Sequence, residues 1–88
     1  MKIKFAVTQR DIDRGVEGSS MGCPIALALR RETKTEVSVG RERVLMFVGG
    51  KVHRAYLPKY ATRFTLEFDD NEPVAPIELE LEFEEGTK

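Results

Sequence analysis

With 88 residues, the chain is long enough for one domain and too short for two ordinary ones, so residues 1–88 read as a single unit. Its 41 % hydrophobic and 33 % charged residues describe a folding chain with a well-charged surface rather than a disordered one. The net charge of −1 offers no global attraction for nucleic acid or an anionic membrane, the single cysteine excludes an intrachain disulfide, and no apolar run approaches the length of a membrane span.

From Lys2 to Thr8, Ile3, Phe5 and Val7 alternate with Lys2, Lys4 and Ala6, the pattern of a half-buried strand. Thr8 with Asp11 three residues on resembles a capping box, and Ile12 to Gly15 suits one helical turn with a glycine stop. Val16 to Gly22 is a glycine- and serine-rich loop. Pro24 opens a helix that is apolar nearly all round and closes on Arg30 and Arg31, so it should be buried. Val37 and Val39 mark a short strand. Val44 to Val48 is a continuous apolar run, expected as a central strand, and Gly49-Gly50 turns it into a return strand carrying Val52, Arg54 and Tyr56. Pro58 opens a further helix with Tyr60, Ala61, Phe64 and Phe68 on one face, ended by the 69–73 loop. From Pro76, Ile77, Leu79, Leu81 and Phe83 alternate strictly with Glu78, Glu80, Glu82 and Glu84, a strand with one buried and one acidic face.

This order predicts an α+β fold: a single four- or five-stranded, mostly antiparallel sheet packed by two helices, with a split β-α-β arrangement as one version.

Charge is segregated along the chain. Residues 1–63 carry a net +7 and residues 64–88 a net −8. Two surfaces follow as binding candidates. Glu78, Glu80, Glu82 and Glu84, spaced about 7 Å apart on one strand face, together with Asp69 and Asp70, would meet a basic protein surface. Arg41, Arg43, Lys51 and Arg54 around the hairpin, near Phe47 and Tyr56, would instead hold a phosphate backbone and stack bases. A third candidate is the Gly15–Gly22 loop before a helix start, suited to a nucleotide or small ligand but without the lysine of a P-loop. Cys23 at that helix start has no second cysteine, and His53 is the only histidine, so neither metal spacing nor a catalytic constellation is evident. No cofactor is implied. The bland alternatives are a buried cysteine, a simple connecting loop and solvated charged faces.

The segments Val7-Thr8-Gln9-Arg10-Asp11-Ile12-Asp13-Arg14-Gly15 and Cys23-Pro24-Ile25-Ala26-Leu27-Ala28 resemble small uncharacterised proteins encoded by tailed bacteriophages and prophages. Leu57-Pro58, Phe64, Phe68-Asp69 and Pro73-Val74-Ala75-Pro76 are similar to the end of the same group. A further cysteine often precedes Cys-Pro there, where this chain has Ser19-Ser20-Met21-Gly22. The resemblance implies a phage or prophage origin and the bacterial cytoplasm, a location that the lone cysteine and the absence of a signal-peptide core in MKIKFAVTQ also suit. It implies no activity and no functional residues.

The expectation is therefore a non-enzymatic protein-interaction module, a phage accessory protein for a host or phage partner, with the acidic strand as first surface. The alternatives are a nucleic-acid-binding module using the basic hairpin and a small-ligand binder at the glycine-rich loop. A dimer through the unpaired sheet edges is allowed but not required.

Overall fold

The computed structural model describes residues 1–85. Six strands and three helices follow one another as β1 (Lys2–Val7), α1 (Gln9–Arg14), α2 (Pro24–Thr33), β2 (Glu36–Val39), β3 (Arg43–Val48), β4 (Lys51–Tyr56), α3 (Lys59–Asp69), β5 (Ile77–Glu82) and β6 (Glu84–Glu85). The class is α+β.

The strands form two ladders, β1–β5 and β2–β3–β4–β6, and every pairing is antiparallel. One residue, Phe83, separates β5 from β6. The segment from 77 to 85 thus serves both ladders, with β1 beside its first part and β4 beside its last. At the junction the Phe83 N–H donates to the Met1 carbonyl at 2.7 Å. Through the junction the side chains keep alternating, with Leu79, Leu81 and Phe83 buried and Glu78, Glu80, Glu82 and Glu84 exposed. Joined in this way, the strands run β1, β5–β6, β4, β3, β2.

That order explains how six strands arise where the residue pattern suggests four or five in one sheet. A period of two records side-chain direction and is blind to a change of hydrogen-bonding partner. The helix-linked strands β1 and β2 stand at the two ends of the joined order, with antiparallel strands between them.

α2 lies at the centre of the core. Ile25, Ala26, Ala28 and Leu29 are wholly buried, as an all-round apolar helix must be. It packs against both β1 and β2, the outermost strands of the joined order, so the sheet curls around it. Phe5, Val7, Val37, Val44, Met46, Leu79 and Leu81 line the concave side. α3 adds Ala61 and Phe64. α1 is a complete short helix rather than a single turn. Its capping box is fully made, with the Thr8 side chain accepting from the Asp11 N–H and the Asp11 side chain accepting from the Thr8 N–H.

Candidate functional site

The helices fill the concave side and leave the convex face of the sheet to solvent. Which residues it carries follows from the turn. Gly49 and Gly50 both have positive φ, 55° and 78°, the backbone that a two-residue hairpin of matching twist demands. The turn sets Val48 against Lys51, and the register then pairs Arg43 with Tyr56, Leu45 with Arg54 and Phe47 with Val52 on one face. Their neighbours Val44 and Ala55 pair on the buried side. The convex face of β3 and β4 thus carries Leu45, Phe47, Val52 and Tyr56 with Arg43 and Arg54 among them. Tyr56 is 64 % exposed and Phe47 41 %, while Leu45, Val52 and Arg54 are half-buried.

Only two of the four basic candidates belong to this patch. Lys51 pairs with Glu85 at 3.1 Å at the end of the hairpin. Arg41 lies between β2 and β3 and lines a small cavity with Ser19, Cys23, Thr65 and Asp69.

The acidic candidates divide as well. Glu78, Glu80 and Glu82 stand opposite Ala6, Lys4 and Lys2 on β1. Glu80 is 4.0 Å from the Lys2 ammonium, and Glu82 is 2.7 Å from the N-terminal ammonium. That hydrogen bond holds the Glu82 carboxyl below the usual carboxylate range. Glu84 is the cross-strand partner of Arg54. The row is therefore largely answered by cations of its own sheet. Asp69 and Asp70 do not join it. Asp69 ends α3 and accepts the Gly18 N–H at 3.0 Å, and Asp70 caps the helix.

The glycine-rich loop closes on itself, with the Val16 N–H donating to the Gly22 carbonyl at 2.8 Å and Ser19 Oγ accepting from the Gly22 N–H. Cys23 is buried in the core. Burial pushes its thiol up, Asp69 adds to the rise, and the Ala26 and Ile25 N–H groups oppose it without winning. A thiol in this state is a poor nucleophile. His53 stands on β4 opposite Met46 and Glu85. Among the described residues no three His, Cys, Asp or Glu side chains gather as metal ligands.

Leu45 and Val52 are the residues of the convex face that sequence reading missed. VLMFV reads as an all-buried run, yet it alternates: Val44 and Met46 point in, Leu45 and Phe47 out. The Gly49-Gly50 turn was the available signal, because it fixes the register and hence the face of every residue on both strands.

No protein-family model, no curated protein and no solved structure matches the chain. No described helix is long and apolar enough to cross a membrane.

Proposed function

We propose that the chain is a non-enzymatic protein-interaction module that engages its partner through the convex face of β3 and β4. The supporting observation is the composition of that face: Tyr56, Phe47, Leu45 and Val52 exposed or half-exposed around Arg43 and Arg54. Aromatic residues and arginine are the types enriched at binding hot spots. The partner that fits offers an apolar anchor for the Tyr56–Phe47 patch and carboxylates for the two arginines. This moves the favoured surface from the acidic strand to its neighbours, because the glutamates already face Lys2, Lys4, Arg54 and the N-terminus. In keeping with the resemblance in its sequence, the module would be a phage accessory protein acting on a host or phage protein in the bacterial cytoplasm.

A second reading, single-stranded nucleic acid, is favoured by the same convergence of arginine and aromatic side chains. It is opposed by Glu84 beside Arg54 and by the glutamates along the same face.

Capture from bacterial lysate at low salt, with and without nuclease, separates the two. The test compares the natural chain with Arg54→Glu/Tyr56→Ala and with Glu80→Lys. A protein retained after nuclease, lost in the first variant and kept in the second, is the expected outcome. Retention lost on nuclease treatment favours nucleic acid. Loss in the Glu80→Lys variant alone returns the assignment to the acidic strand.

A further inference from the structure

Arg10 and Arg14 stand one turn apart on α1, where residues i and i+4 share a face. Together with Arg31 and Leu27 of α2, and with Asp11, they wall a cleft of about 340 Å³. Three guanidinium groups and one carboxylate therefore meet there, an excess of two positive charges.

The carboxylate is already engaged. Asp11 is buried, its Oδ1 accepts from Arg31 Nη1 at 2.5 Å, and its Oδ2 accepts from the Thr8 N–H at 2.8 Å and the Thr8 hydroxyl at 3.1 Å. Among the described residues, neither Arg10 nor Arg14 makes an ion pair. Asp13, on the same helix, accepts from Gln9 instead. Glu32 adjoins Arg31 in the chain and acts on it through its charge, but it is not part of the cleft wall. Like charges at i and i+4 work against a helix, and α1 has only six residues in which to absorb the cost.

Arg31 is held in place. Its Nη1 is taken by Asp11 and its Nη2 donates to the Ala6 carbonyl at 3.0 Å. A guanidinium has five N–H donors, so this fixed group keeps others to offer. Planar forks match the oxygens of a phosphate, and an excess of two charges matches its dianion. Leu27, half-buried, supplies an apolar wall beside the arginines.

We propose that the cleft between α1 and α2 binds a phosphate dianion, free or as the phosphoryl group of a small ester whose apolar part rests on Leu27. The site stands on different elements from the convex sheet face and does not depend on the function proposed for that face.

The test is nitrogen-15 NMR of the full chain, titrated separately with inorganic phosphate and with phenyl phosphate at constant ionic strength set by chloride. Saturable shifts of the α1 and α2 amides and of the arginine Nε–H signals are expected. The Arg10→Gln/Arg14→Gln variant should bind roughly tenfold more weakly or less well still, since it loses two charge-assisted contacts. Both side chains are exposed, and the same spectra report whether that variant is folded. The Arg41→Gln/Arg43→Gln control should bind as the natural chain does. Tighter binding of phenyl phosphate supports an ester as ligand, and equal binding supports free phosphate. Absence of saturable shifts with both probes in the natural chain overturns the proposal, as does an equal loss in the control.

Discussion

Asp11 joins three parts of the molecule through one carboxylate: the end of β1, the start of α1 and the side of α2. Burial works to raise its pKa, but the Arg31 hydrogen bond, the two bonds from Thr8 and the Arg31 charge together hold it below the usual carboxylate value. A carboxyl lowered by folding stabilises the fold fully above its unfolded value, near pH 4, and loses that contribution as pH falls through its folded value. Asp11→Ala removes the carboxylate half of the capping box and the charge-assisted bond from Arg31, so a loss of about 2–4 kcal/mol is expected in urea unfolding at neutral pH. Between pH 5 and pH 2 the variant should lose less stability than the natural chain; parallel curves would remove Asp11 as a source of the acid response. Thr65 presents the opposite case. It is 8 % exposed and its hydroxyl has no hydrogen-bond partner among the described residues. Valine has nearly the same shape without the orphaned oxygen, so Thr65→Val should stabilise by about 1 kcal/mol. A loss of stability in the same urea experiment would mean that the hydroxyl is satisfied in solution.

Among the elements, those with a sharp local signature were legible in the residues. The capping box at Thr8 and Asp11, the buried α2 and the alternating Ile77–Phe83 segment all form where their patterns lie. What the pattern did not reveal was the change of partner at Phe83, which depends on where Met1 and β4 lie in space. The tight join between α1 and α2 was hidden for the same reason. Gly15 reads as a helix stop, yet its φ of −68° needs no glycine. Space is what requires it there: a Cβ would stand 2.7 Å from Pro24 Cδ and Cγ and 3.0 Å from Phe68 Cζ. Gly15→Ala should therefore force α1, α2 and α3 apart and cost about 1–3 kcal/mol by overpacking. If its thermal unfolding matches that of the natural chain, the three helices do not meet as closely as described.

At the scale of the whole molecule, the charge segregation of the sequence is partly undone in space. The N-terminal cations of β1 lie against the C-terminal glutamates of β5, because antiparallel pairing brings the two ends of the chain together. That pairing was beyond reach of composition, and it lowers the claim of the acidic row as a free surface. The curl of the sheet around α2 has the complementary effect: it gathers the core on one side and leaves Phe47 and Tyr56 on the other. The most direct test of the interaction face is photo-crosslinking in the bacterial cytoplasm, with a benzoylphenylalanine in place of Phe47, Tyr56 or, as a control, Leu66, an exposed apolar residue of α3. The account predicts a discrete adduct with another protein from positions 47 and 56 and none from 66. Adducts from 66 alone, or none from 47 and 56 when the chain is folded and abundant, would contradict it.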